Sequence, residues 1–304
     1  MRGAWDIAAA LGLRRAMRAQ RVDVVHTHSS VDSWVGGLAA RSLGLPLVRS
    51  RHVSIPIPRR RALVYRLADR IVTSGDTVAG VVAAAGVPRE RIVAIGPGVD
   101  TRRFHPGISG TAVRAELGLT GPVVGLVANI RGSKGHRYFL EAARDVLRVR
   151  PDARFLIVGD GIGFDDVRRR VKDLALDDGV IMTGFRRDVP EVMAALDVLV
   201  LPSIRSEAMS QVVPQALAIG TPVIGTTVGG TPELVRDGHN GRLVPPADAP
   251  ALARAIVELL DDPARARGMA QRGQAEVLAQ HSLEAAMART VDVYAAARLA
   301  RSQR

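Results

Sequence analysis

The sequence predicts an α/β protein of two domains, each a parallel sheet wrapped by helices. Three observations predict it. Short apolar runs rich in β-branched residues alternate with helical patterns along the chain. A glycine- and proline-rich stretch at residues 96–107 interrupts that rhythm, which then restarts, marking a domain boundary. The loops that follow the later strands carry glycine or charge, as expected where an open α/β sheet binds its ligand. At 304 residues the chain has ample core for two such domains.

In the first half, helical periodicity covers 8–20 and 33–43, and strands are expected at 22–25, 45–48, 70–72 and 92–95. In the second half, strands are expected at 123–127, 154–158, 180–182, 198–201 and 222–225. Helices at about 136–149, 164–174, 189–195, 210–219 and 248–260 alternate with them. The division is therefore 1–103 and 104–280, with a last helix over 281–300.

Composition sets bounds. No apolar run approaches the ~18 residues needed to span a bilayer, and no charged-then-apolar leader opens the chain. There are no cysteines, so disulfides and thiolate metal sites are excluded. The reading is a cytoplasmic protein, with a peripheral place on the inner face of the plasma membrane as the expectation the basic N-terminal region adds. Net charge is +12, and Lys134 and Lys172 are the only lysines. Residues 1–107 hold 17 Arg against 7 Asp and Glu, a net of +10. Within them Arg49, Arg51, Arg59, Arg60 and Arg61 surround the apolar segment Ile55-Pro56-Ile57-Pro58. That patch suits a solvated basic face, anionic lipid headgroups or an anionic acceptor. No recognition helix, zinc ligand set or aromatic platform accompanies it, so nucleic acid is not expected.

Residues 203–246 hold the densest pattern. A polar loop carrying Glu207 runs into an apolar helix, a short strand and the glycine turn Gly229-Gly230. The step from Glu207 to Gln215 puts one group just before a helix and the other on its second turn. Both can face a ligand across the helix N-terminus, where free N–H groups and the dipole favour phosphate. Arg131 and Lys134 are expected where a helix opens, a place where cations oppose the dipole unless an anion lies there too. Gly159-Asp160-Gly161-Ile162-Gly163 lacks the full G-x-G-x-x-G spacing and a ribose acid downstream, which disfavours a hydride-transfer cofactor. His26 and His28 end a strand on one side, i and i+2; with no third ligand at sensible spacing, metal is not expected.

The 203–246 block resembles the sugar-nucleotide signature of the retaining family 4 glycosyltransferases of the GT-B fold, with Gln215 at the second glutamate of that family's Glu-x7-Glu pair. Lys134-Gly135 matches the family's Lys-Gly, whereas Asn129 stands where the family has arginine and Arg131 is expected to supply that charge. Val158-Gly159-Asp160-Gly161 and Thr183-Gly184-Phe185 look like the segments flanking the nucleotide base. Gly98-Val99-Asp100-Thr101 with Phe104-His105-Pro106 resembles the start of the second domain, and His281-Ser282-Leu283 the start of the helix that crosses back.

The resemblance implies two Rossmann-like domains, the N-terminal one incomplete, and transfer of a sugar from a nucleotide-diphosphate sugar, UDP-linked, to a glycan or lipid-linked acceptor in cell-envelope polysaccharide synthesis. His52, Arg131, Lys134 and Glu207 would be catalytic. Asn129, Gly159, Gly161, Phe185, Arg186, Met209, Ser210, Gln211 and Gln215 would bind the donor; His26, His28 and Ser29 would lie on the acceptor side. Family logic implies no cofactor and no metal, because positive side chains replace the ion. Three other readings stay open: an inactive truncated remnant, a sugar-nucleotide-binding subunit, and a nucleotide-sugar 2-epimerase. The family's first strand and glycine-rich loop have no counterpart ahead of residue 22. Roughly 60–80 further residues, about one βαβ unit plus a strand, are expected before Met1.

Overall fold

The computed structural model describes residues 6–58 and 62–303. The chain divides into two compact units, Met1–Gly98 with Glu284–Arg304, and Val99–Leu283. The stretch Met1-Arg2-Gly3-Ala4-Trp5 and the arginines Arg59, Arg60 and Arg61 lie outside the described residues.

The first unit contains four parallel strands in the order β1 (Val25–Thr27), β2 (Leu47–Arg51), β3 (Arg70–Thr73), β4 (Ile92–Ala94). Strand alternation gives the sheet two buried faces. Leu47, Ile71 and Ile92 pack with Val64 and Tyr65 on one side. Val48 and Val72 pack with Ile95, Val293 and Ala297 on the other, the last two from helix Leu283–Ser302. Helix Ser30–Ser42 starts with a capping box, in which Ser29 and Asp32 satisfy each other's backbone N–H.

The second unit contains six parallel strands: β5 (Val123–Val127), β6 (Arg154–Val158), β7 (Val180–Gly184), β8 (Val198–Leu201), β9 (Val223–Thr226) and β10 (Arg242–Val244). Their order is β10-β9-β8-β5-β6-β7. This is the doubly wound arrangement, in which the winding direction reverses between β5 and β8. Strands β5, β8 and β9 are buried along their whole length, and β5 and β8 read as continuous apolar runs.

Several boundaries move. The strand expected at 22–25 becomes Val25–Thr27, because the Val22 N–H bonds back to the Met17 carbonyl and closes the preceding helix. The strand expected at 45–48 becomes Leu47–Arg51. Leu45 N–H closes a helix in the same way, onto Ala40, and β3 pairing carries β2 out to Arg51. The helix expected from 210 begins at Val212, which moves Gln215 into its first turn. Strand β10 and helices Asp76–Ala84, Thr111–Glu116, Thr231–Leu234 and Pro263–Gln280 were not anticipated. The longest of them does carry a start signal, Asp262 capping Arg265 N–H ahead of Pro263.

Candidate functional site

The site of the second unit forms where its sheet reverses. The loop after β5 holds Lys134 and the loop after β8 holds Glu207. Lys134 Nζ lies 2.6 Å from Glu207 Oε2, with side chains only 12% and 9% exposed. Ser203 Oγ, fully buried, donates to the same carboxylate oxygen at 2.7 Å. The two loops are also joined through the backbone, Ile204 N–H donating to Ser133 O at 2.9 Å.

Gly229 and Gly230 clamp the Glu207 loop from the other side. Gly230 N–H donates to Glu207 O at 3.0 Å. Gly229 has φ +58°, and a Cβ there would fall 1.6 Å from the same oxygen, so only glycine fits. Gly159 is held likewise, at φ +136° with Ala128 O 2.0 Å from any Cβ. These contacts bring the chain ends of β5, β6, β8 and β9 to one place.

A cavity of about 860 Å³ opens beside this point, within the range of small-molecule sites. Asn129, Gly159, Gly161, Phe185, Arg186 and Gln215 line it, with Arg103, Phe104 and Ile162. Phe185 is 71% exposed and Ile162 98% exposed, so two large apolar groups stand open at its edge. Met209, Ser210 and Gln211 lie just ahead of helix Val212–Ile219 and are not part of the cavity wall. Arg131 is exposed and precedes the short turn Gly132–Lys134; the helix itself opens at His136. Of these two cations, which share one turn through Lys134 N–H donating to Arg131 O at 3.0 Å, Lys134 pairs with Glu207 and Arg131 is exposed.

Arg186 is not a free cation. It bonds Glu116 through both terminal nitrogens, at 2.6 and 2.8 Å, and Asp188 through Nε at 2.9 Å. It contributes a wall, and the hydrogen bonds from Arg186 hold Glu116 below the usual carboxylate range. His136 is buried with neither ring nitrogen partnered, and burial, then Lys134, lowers its pKa to about 4. Sequence reasoning missed Ser203, Glu116 and Arg103. Ser203 sits four residues before Glu207, but a serine at a strand end carries no distinguishing pattern.

The first unit gathers His26, His28 and His52. His28 Nδ1 lies 3.2 Å from His52 Nε2, and the two rings stack at 5.5 Å. His26 bonds Tyr294 Oη and Ser50 Oγ, both at 2.8 Å. Burial, then His28, lowers the His26 pKa to about 4, and the same causes lower that of His52. Ser29, expected on the acceptor side, serves as the cap of helix Ser30–Ser42.

Within the basic patch Arg49 is not solvated, because it is 4% exposed. Its guanidinium lies over the Tyr65 ring, 4.2 Å from the centroid. Burying a charge costs several kcal/mol, whereas a cation–π contact returns about 0.5–2 kcal/mol. Among the described residues no helix is long and apolar enough to cross a membrane, and no group of three or more His, Cys, Asp or Glu is arranged to hold a metal ion.

A doubly wound sheet with a buried cation–carboxylate pair at its reversal point and an open cavity beside it defines an α/β protein with a small-molecule cleft at its strand ends. Residues 121–262 match the family model described as glycosyl transferases group 1, and residues 1–103 match glycosyltransferase family 4. The 2-deoxystreptamine glucosyltransferase of Streptomyces kanamyceticus is 31% identical over 289 residues, 86% of this chain and 74% of that protein. The D-inositol 3-phosphate glycosyltransferase of Acidothermus cellulolyticus is 35% identical over 277 residues, 80% of this chain but 61% of that protein. The crystal structure of HepE from Anabaena in complex with UDP superposes with a TM-score of 0.86 at 23% identity, covering 93% of this chain and 81% of that one. The chain belongs to the group 1, family 4 glycosyltransferases.

Proposed function

We propose that this chain transfers a sugar from a nucleotide-diphosphate sugar, UDP-linked, to a glycan or lipid-linked acceptor, with retention at the anomeric carbon. The observation that carries the reading is the Lys134–Glu207 pair at the sheet reversal, beside a cavity lined by Asn129, Gly161, Phe185 and Gln215. The exposed Phe185 ring offers a stacking surface for the base. Gln215 can both donate to and accept from a ribose. Lys134 and Arg131, with the N-terminus of helix Val212–Ile219, would stabilise the charge gathering on the departing diphosphate. Glu207, held by Lys134 and Ser203, would orient sugar hydroxyls. His52, lowered in pKa and so neutral at pH 7, would act by hydrogen bonding.

HepE has been crystallised with UDP and with UDP-glucose, which supports a uridine donor. A relative from Escherichia coli is named for transfer from UDP-Gal to a diphosphoundecaprenol-linked sugar, which supports a lipid-linked acceptor and a cell-envelope role. Such a role agrees with a peripheral place at the inner face of the membrane. Titration calorimetry with UDP tests the donor site: saturable binding is expected, and no heat or thermal shift at millimolar UDP overturns the reading. Stereochemistry of the product, read by NMR of the anomeric proton, tests retention.

A further inference from the structure

The first unit contains a pocket whose lining residues have no role in the transfer chemistry described above. It has a volume of about 440 Å³ and is bounded by β2, the first turns of helix Ser30–Ser42 and the extended segment after β2. Strand periodicity turns Arg49 and Arg51 to one face, and both line the pocket floor with Tyr65. Arg51 Nη1 donates to Tyr65 Oη at 2.8 Å, and its Nη2 donates to the Ile55 carbonyl. Arg49 Nε and Nη1 and Arg51 Nε are buried with no hydrogen-bond partner. Among the described residues no carboxylate lines the pocket.

A buried guanidinium whose N–H groups lack a hydrogen-bond partner, on a pocket whose described lining carries no carboxylate, suits an anion; Asp32 acts on Arg49 from outside that lining. Two planar forks held by one tyrosine suit the several oxygens of a phosphate. The walls are of another kind. Val31 and Trp34 come from one helix face, and Val53, Ile55 and Ile57 alternate along the segment after β2. Val53 is 47% and Ile55 60% exposed, so the mouth is apolar while the floor is cationic.

We propose that this pocket binds a phosphate-bearing amphiphile, its phosphate on Arg49 and Arg51 and its apolar arm against Trp34, Val53 and Ile55. As the acceptor site, this rests on the transferase reading; as a binding site it stands on the pocket alone.

The test uses the full chain, with calorimetry and tryptophan fluorescence as readouts. The probes are monomeric farnesyl phosphate, farnesol, inorganic phosphate and phosphatidylglycerol vesicles. Farnesyl phosphate is expected to bind at least about tenfold more tightly than farnesol or inorganic phosphate, a difference worth about 1.4 kcal/mol. Arg51→Gln and Trp34→Ala are each expected to weaken it by about tenfold or more, with UDP affinity unchanged. Equal binding of inorganic phosphate would reduce the site to a simple anion pocket and overturn the proposal. Binding to vesicles without binding of the monomer would make it a membrane surface and overturn it too, as would insensitivity to both variants. UDP titrated in parallel separates the two readings: loss of UDP binding alone fails the donor site, and loss of farnesyl phosphate binding alone fails this one.

Discussion

Removing Lys134 separates the structural from the chemical role of the pair it makes. Its partner Glu207 is 9% exposed in its side chain and, among the described residues, is left with the Ser203 hydroxyl when the ammonium is gone. Breaking a buried ion pair by deleting one member costs about 3–5 kcal/mol, since it strands the other charge. Both side chains here retain some solvent, so Lys134→Ala should destabilise the chain by about 3 kcal/mol, near the low end of that range. The same lysine is proposed to meet the diphosphate, and a hydrogen bond to a charged group is worth about 1.5–3 kcal/mol. UDP affinity should therefore fall roughly 10- to 100-fold, and sugar transfer about 10²- to 10³-fold. The double variant Lys134→Ala/Glu207→Gln removes the stranded charge while leaving an amide that can still accept from Ser203. Urea unfolding should show it recovering most of the lost stability, and calorimetry should show UDP affinity still depressed. Recovery of UDP affinity together with stability would mean that Lys134 only holds the loop, and would refute the leaving-group role.

Other outcomes follow from the same geometry. Gly229→Ala places a methyl 1.6 Å from Glu207 O at φ +58°, so it should cost more than about 2 kcal/mol in urea unfolding and abolish UDP binding measured at the same protein concentration. Gln215→Glu, which restores the second carboxylate of the family's pair, should leave UDP affinity within about tenfold of the parent, because Gln215 already offers an acceptor oxygen; complete loss would show that the amide nitrogen is what the ligand needs. His26 and His136 both have their pKa lowered to about 4, so the unfolded chain binds more protons than the native one between roughly pH 6.5 and 4. Stability should be fully present above that window and fall as the pH drops through it, each histidine adding up to about 1.4 kcal/mol per pH unit. His136→Leu should remove its share of that slope, and an unchanged slope would contradict its buried neutral state.

The sequence by itself determined the parallel α/β class, because strands buried on both faces must be apolar throughout and the intervening helices must be amphipathic. Strands β5, β6 and β8 were legible to the residue for that reason. The glycine- and charge-bearing loops at the strand ends were legible too, and Gly229-Gly230 reads as a turn from the sequence. Strand ends near helix C-termini were not legible, since Val22 and Leu45 are as apolar as any strand residue; a backbone hydrogen bond to the previous helix decides their state. The short β10 and the long Pro263–Gln280 helix escaped because their patterns are weak or mixed. Tertiary structure alone decided which charges are spent. Arg186 is committed to Glu116 and Asp188, Lys134 and Glu207 neutralise each other, and Arg49 is buried over Tyr65. One-dimensional spacing cannot supply such pairings, because ionic partners 70 to 73 residues apart meet only when strand order is set. The reversal of winding between β5 and β8 is what brings Lys134 to Glu207, and that reversal is a property of sheet order, which no local pattern encodes.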